Sequence, residues 1–249
     1  MPGPHDELKG LADTIDRLLE RLDGSFAAQR RFAANAAHEL RTPLATMRAS
    51  LDVAVAKPTP VPTMALAARL YGELDRADRL LDGLLMLARA EHGDLPGPTV
   101  LSLEAVASAA VAARADAIRA RNLTVAQAGG SDGAWVTGSE ELVCRMVDNV
   151  VDNAIVHNEV GGWIKVSTLS SGSAASLVVE NGGPVLDPGQ VRDLTRPFRR
   201  LGPDRTASDG GSGLGLSIVA AIASAHHGAL ELCARPAGGL HVRIRLPAS

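Results

Sequence analysis

Residues 35–44 read Asn-Ala-Ala-His-Glu-Leu-Arg-Thr-Pro-Leu, a dense polar insertion in a stretch otherwise built of alanine and leucine. Before it, Leu8, Leu11, Ile15, Leu18, Leu22 and Phe26 recur three and four apart, and the pattern continues through Phe32, Ala36, Leu40, Leu44, Met47, Leu51 and Val55. That repeat predicts a helix with one narrow apolar seam. The helix should stop at Lys57-Pro-Thr-Pro-Val-Pro62, because proline lacks an amide hydrogen and clashes with the turn before it. A second seam, Leu66, Leu70, Leu74, Ala77, Leu81, Leu84 and Ala88, runs to Glu91 and gives way to the linker Gly93-Asp-Leu-Pro-Gly-Pro98. Two long helices with a short connection predict an antiparallel hairpin. One hairpin covers only part of each stripe, so two chains are expected to pair into a four-helix bundle, a homodimer.

Beyond Pro98 the pattern changes. Helical periodicity is predicted over Leu103–Arg119, Glu140–His157 and Leu214–His226, with a short helix from Pro188 to Leu194. Extended segments are predicted at Leu123–Ala126, Trp135–Thr137, Trp163–Leu169, Ala175–Glu180, Leu230–Leu232 and His241–Leu246. The Ser170-Ser-Gly-Ser turn makes a hairpin of the third and fourth. Residues 199–212 carry three glycines, a proline and several charges, a length that suits a functional lid. The expected class is α+β: a helical hairpin followed by a sheet backed by helices on one face.

Composition removes several functions. The 249 residues are 46% hydrophobic and 21% charged, which suits folded domains. Three Phe, two Trp and one Tyr leave an aliphatic core, and with a formal net charge of −3 neither stacking platforms nor a basic surplus speaks for nucleic acid. Cys144 and Cys233 lack metal-ligand spacing and read as buried thiols of a reducing compartment. No window is apolar enough to span a membrane, and the first residues lack a signal-peptide run, so the polypeptide is expected to be soluble by itself.

Within the polar cluster, His38 and Thr42 share a helix face and Glu39 is displaced by about 100°. Pro43 cannot donate to the Glu39 carbonyl, so the helix should loosen just after the histidine. A lone helical histidine is commonly a solvated surface residue. Here the surroundings favour chemistry, since a neutral imidazole is a nucleophile near pH 7 and an adjacent carboxylate can take its ring proton. A Walker loop is excluded, because Lys9, Lys57 and Lys165 are the only lysines and none follows glycine. His-Arg-Asp and Asp-Phe-Gly are also absent. Gly211-Ser-Gly-Leu-Gly215 stands directly before a helix, where free N–H groups favour phosphate, although such turns also serve simple chain reversal. Asn149 and Asn153 present two amides from one face of the preceding long helix, and oxygen ligands suit Mg²⁺.

His38-Glu-Leu-Arg-Thr-Pro-Leu44 resembles the phospho-acceptor box of sensor histidine kinases of two-component systems, and the match is complete. The resemblance implies that His38 is phosphorylated, that Glu39 is its acid/base partner and that Thr42 positions water for dephosphorylating a partner. Asp148-Asn-Val-Val-Asp-Asn-Ala154 is similar to the N box of the same family, which implies Mg²⁺ on Asn153 and phosphates near Asn149. Asn181-Gly-Gly183-Pro resembles the first glycine box, Pro197-Phe198-Arg-Arg200 the F box, and Gly211, Gly213, Leu214 and Gly215 the second glycine box that closes the lid. The implied fold after residue 98 is the two-layer Bergerat, or GHKL, ATP-binding sandwich. The domains implied are 1–25, similar to the last helix of a HAMP module or a plain coiled-coil extension; 26–92, for dimerisation and phosphotransfer; the linker 93–98; and 99–249, for ATP. ATP and Mg²⁺ are the implied ligands, and a homodimer and the receiver domain of a response regulator the implied partners. The implied location is cytoplasmic, with any membrane attachment supplied by an upstream sensor segment or a separate sensor protein.

Two boxes depart from the pattern. Asn181 stands where the family usually has the aspartate that accepts from the adenine amino group, and Val185 replaces the last glycine of that box. Val156 stands where a basic residue commonly follows the N box, and Arg199, Arg200 or Arg205 can supply charge or be solvated lid residues. His157-Asn158 reads as a helix cap or a nucleotide contact, His226-His227 as a helix terminus, and Trp135 and Trp163 as core. A dimeric scaffold that binds a regulator without catalysis, and an ATPase without phosphotransfer, are the competing readings; the second leaves the His38 helix unexplained.

Overall fold

The computed structural model describes residues 4–56, 62–92, 97–130, 133–200 and 212–249, with the side chains of 4–12, 21, 25, 91 and 92 left aside. Gly211 and Arg205, both singled out above, lie outside the described residues. The chain divides into two compact units, residues 1–78 and 79–249.

The first unit holds helix α1 (Pro4–Ala56) and the greater part of α2 (Thr63–His92). α1 runs unbroken through Pro43, so the expected loosening amounts to the one bond that Pro43 cannot make to Glu39. Hydroxyl groups reinforce this region. Thr42 Oγ1 donates to the His38 carbonyl at 3.3 Å, Thr46 Oγ1 to Thr42 at 3.0 Å and Ser50 Oγ to Thr46 at 2.8 Å. Leu18, Leu22, Leu44, Leu51 and Leu74, all seam positions, stay exposed in the single chain.

The second unit begins with the last turns of α2, where Leu80, Leu87 and Ala90 are buried. Two elements come next: β1 (Thr99–Ser102), which the sequence did not reveal, and α3 (Leu103–Ala113). A break at Arg114 separates α3 from α4 (Ala115–Ala120), so the helix expected over 103–119 is two. β2 (Thr124–Ala128), β3 (Trp135–Gly138), α5 (Glu140–Val156), β4 (Trp163–Ser171) and β5 (Ala174–Asn181) follow. The chain continues with α6 (Pro188–Val191), a 3₁₀ turn over Arg192–Thr195, α7 (Gly215–Ala225), β6 (Ala229–Ala234) and β7 (Leu240–Pro247).

β1 pairs with β3 in a small antiparallel ladder. The main sheet has the order β2-β4-β5-β7-β6, parallel only between β2 and β4. Alternation along β4 and β7 sends Ile164, Val166, Val242, Ile244 and Leu246 to the buried side. There they meet the apolar faces of α3, α5 and α7; Met146, Val147, Val150 and Val151 of α5 are at most 1% exposed. Aliphatic residues do fill this core, but two expectations fail. Trp135 and Trp163 are exposed by 49% and 36%, and Cys144 is only half-buried while Cys233 is exposed. All four sit at strand ends or on outward positions of their elements, which apolarity alone does not disclose. Both cysteines are free thiols, and burial, then Glu140 and Asp148, pushes Cys144 up.

Candidate functional site

α5 is the central element of the site, and arginines fix it from two directions. Arg114 reaches across from the α3–α4 break, with Nη1 2.7 Å from Asp148 Oδ1 and Nη2 2.8 Å from Asp152 Oδ2. Its pKa is raised, chiefly by the bond to Asp152. At the other end, Arg121 caps the helix. Its Nη1 donates to the carbonyls of Ile155 and Val156, both at 2.9 Å, and Nη2 to that of Asn158 at 3.3 Å. These carbonyls have no partner within the helix, so a guanidinium there satisfies the C-terminus and offsets its partial negative charge.

The aspartates occupy one side of α5, and Asn149 and Asn153 another. Asn149 Nδ2 donates to the Arg145 carbonyl at 2.9 Å, which turns Oδ1 outward, 3.5 Å from where a Cβ on Gly215 would stand. Asn153 is half-buried. Gly215 opens α7, whose first turn has no side-chain cap among the described residues: Leu214 occupies the cap position with 1% of its surface exposed, and Ser217 Oγ donates back to the Leu214 carbonyl at 2.8 Å. The N–H groups of that turn are therefore available to an anion. Far from this end, His226 holds α7 to α5. Its Nε2 accepts from the Ser139 N–H at 3.1 Å and its Nδ1 donates to the Ile222 carbonyl at 2.8 Å, a pairing that uses both nitrogens of a neutral ring. The helix-terminus reading of His226 holds.

Asn181 ends β5 with 3% of its surface exposed, and its Nδ2 donates to the Gly182 carbonyl at 2.6 Å. Gly183 (φ 144°) passes so near α5 that a Cβ would lie 2.9 Å from the His157 carbonyl. His157 is the C-terminal cap residue of α5. Desolvation, followed by Arg200 and Arg121, holds its imidazole below the ordinary range. Asn158 completes the cap, donating to Ala154 at 3.2 Å and Trp163 at 3.0 Å and accepting from the Glu159 N–H at 3.0 Å. Phe198 (φ 64°) donates its N–H to the Gly213 carbonyl at 2.9 Å, and a Cβ on Gly213 (φ 70°) would meet the Phe198 backbone at 3.0 Å. Phe198 and Gly213 are thus fastened to each other.

The structure accordingly brings Asn149, Gly215 and Leu214 together, joins Phe198 to Gly213, sets Asn181 and Gly183 beside His157, and puts Arg200 near enough to act on that ring. In the first unit, His38 is exposed while Glu39 and Thr42 are half-buried. Arg114 and Arg121 escaped sequence reading, because their carboxylate and carbonyl partners lie more than thirty residues away.

Residues 28–93 match the profile of the His Kinase A (phospho-acceptor) domain, and residues 138–249 that of the histidine kinase-, DNA gyrase B- and HSP90-like ATPase. The chain is 42% identical over 249 residues to the sensor protein CutS of Streptomyces coelicolor, an alignment covering 99% of this chain and 59% of CutS. It thus spans about three fifths of that relative's length. In fold it is similar to the histidine kinase AdeS of Acinetobacter baumannii (TM-score 0.71, 22% identity, 85% of this chain and 98% of that one). A structure of the histidine kinase ThkA in complex with the response regulator protein TrrA also matches (TM-score 0.68, 18% identity, 88% of this chain and 61% of that one). No described helix is long and apolar enough to cross a membrane.

Proposed function

The chain belongs to the sensor histidine kinases of two-component systems, and from that premise we propose that it uses ATP to phosphorylate its own His38 and passes the group to an aspartate of a response regulator. One observation carries the proposal. A single chain combines an exposed histidine in a complete acceptor box with a paired-asparagine helix aimed at an uncapped helix N-terminus.

Asn149 and the first turn of α7 face the phosphates, which gain from the N–H donors and the helix dipole. Asn153 would hold Mg²⁺ through its amide oxygen, since neutral oxygen donors on this helix face suit that ion. When bound, the ion would supply charge neutralisation. The Asn181 amide is oriented by its own bond to Gly182 and accepts from the adenine amino group. Phe198, Arg200, Gly211 and Gly213 belong to the lid that covers the nucleotide. When the γ-phosphoryl group meets His38, one imidazole nitrogen attacks phosphorus, ADP leaves, and Glu39 takes the proton from the other nitrogen. Positioning and charge neutralisation do most of this work.

Thr42 gives its hydroxyl hydrogen to the His38 carbonyl, so its oxygen lone pairs remain to orient a water for hydrolysis of the phosphorylated regulator. The exposed seam of α1 and α2 supports a homodimer. A response-regulator partner fits the structure of ThkA, which contains the response regulator protein TrrA. The stimulus comes from a sensor segment or protein not represented in these residues.

The test is incubation with γ-labelled ATP and Mg²⁺ beside His38→Gln. Label that survives alkali, is lost in acid and vanishes in the variant establishes the phosphohistidine. A folded dimer that takes no label and does not bind millimolar Mg·ATP supports instead the scaffold reading, which Asn181 and Val156 favour.

A further inference from the structure

The loop Asn181–Pro184 is held from behind by the turn between β6 and β7, and the contact is backbone against backbone. Gly239 (φ 85°) donates its N–H to the Pro184 carbonyl at 2.9 Å, and a Cβ on it would fall on the Asn181 carbonyl oxygen at 1.9 Å. A Cβ on Gly238 (φ 91°) would stand 2.1 Å from the Gly183 carbonyl oxygen. No flexible side chain lies between turn and loop, so a displacement of one passes to the other.

Backbone bonds close the turn, the Gly238 N–H donating to the Arg235 carbonyl at 2.9 Å and the Arg235 N–H to the Gly239 carbonyl at 3.0 Å. One side chain braces it further: Arg235 Nη1 donates to the Gly238 carbonyl at 3.3 Å. Its guanidinium carbon stands 4.5 Å from the centroid of the Trp163 ring, and its Nε is 3.4 Å from Glu180 Oε1, on the residue next to Asn181. The Trp163 carbonyl accepts from the Gly182 N–H at 3.0 Å. Arg235 therefore ties together the turn, the start of β4 and the end of β5, the three segments that frame the loop. Trp163, Gly182, Gly183, Arg235 and Gly238 also line a cavity of about 370 Å³.

We infer that Arg235 is a positioning residue for the nucleotide: without touching it, the side chain sets where Asn181 and Gly183 meet the base. The inference rests on reading that loop as the adenine contact. A group that only places the binding loop acts on affinity for ATP and leaves the transfer step to the residues around the phosphates.

The test compares the full chain with Arg235→Ala and Arg235→Lys, each checked by thermal melting, for Mg·ATP affinity and for KM and kcat of autophosphorylation. Arg235→Ala should raise Kd and KM for ATP roughly tenfold, the scale on which misplacement of a supporting group acts, with kcat nearly unchanged. Arg235→Lys keeps the charge over Trp163 and beside Glu180 and should recover most of the affinity. An unchanged KM in Arg235→Ala, or a loss confined to kcat, overturns the inference while the wild type still binds ATP. A loss in Arg235→Ala that Lys does not restore and that follows the melting temperature also overturns it, since that is a plain stability effect. If the wild type itself binds no Mg·ATP, the reading of the loop falls first and the inference with it.

Discussion

The two units solve the problem of burying their apolar surface in opposite ways. In the ATP-binding unit, α5 and α7 press fully buried aliphatic residues on a five-stranded sheet, and guanidinium groups satisfy what the backbone leaves open, all within one chain. In the helical unit, Leu18 and Leu44 remain 58% and 57% exposed on a seam with no partner in the same chain. The nucleotide half is finished by its own sequence, whereas the exposed seam of the helical half fits the second molecule proposed above. Damage to the first should be independent of protein concentration, whereas damage to the second should depend on it.

The sharpest way to break this contrast is to charge the seam. Leu44→Glu with Leu51→Glu removes leucines worth about 1.5–3 kcal/mol each when a bundle covers them. Sedimentation should then show monomers at micromolar concentration, with Mg·ATP binding intact. If the dimer persists, the seam is not its interface. Next in size, Gly213→Ala adds a methyl at φ 70°, against the Phe198 backbone, and costs about 1–2 kcal/mol in backbone strain alone. ATP affinity should fall at least tenfold while the dimer is unaffected.

Arg114→Met tests the other half of the comparison. It leaves Asp148 and Asp152 without their shared partner, but both carboxylates reach solvent, so a loss of about 1–2 kcal/mol is expected, the same at any protein concentration. The smallest effect is a pH dependence. The folded chain holds the His157 proton more weakly than the unfolded chain, whose ordinary value is about 6.5. Between the depressed value and about 6.5 the unfolded state binds more protons, so stability rises with pH across that window. Denaturant melts from pH 5 to 7.5 should show the rise, and His157→Gln should flatten it.

Local signals were legible in the sequence and distant ones were not. The His38 box is seven contiguous residues, and the N box is one face of one helix, so both could be recognised by resemblance to a known family. The same holds for the caps: His157-Asn158 and His226 end helices as their positions suggested. The helix break at Arg114 was hidden, because no proline or glycine marks it, and the acidic pair it serves stands on another helix. β1 was too short and too polar to show alternation, and it forms only because β3 pairs with it. The two tryptophans misled for the opposite reason: apolar character in a strand says nothing about which face is covered.

The strand order carries a consequence for synthesis. β7 is made after β6, yet it lies between β5 and β6. Until it arrives, one edge of β5 has no ladder partner and is open to wrong pairing. The turn that braces Asn181 also enters with it, more than fifty residues after the loop it supports. A growing chain thus carries His38, Asn149 and Asn153 well before the loop proposed to meet the base is held, and retention of ATP through that loop should await the synthesis of β7.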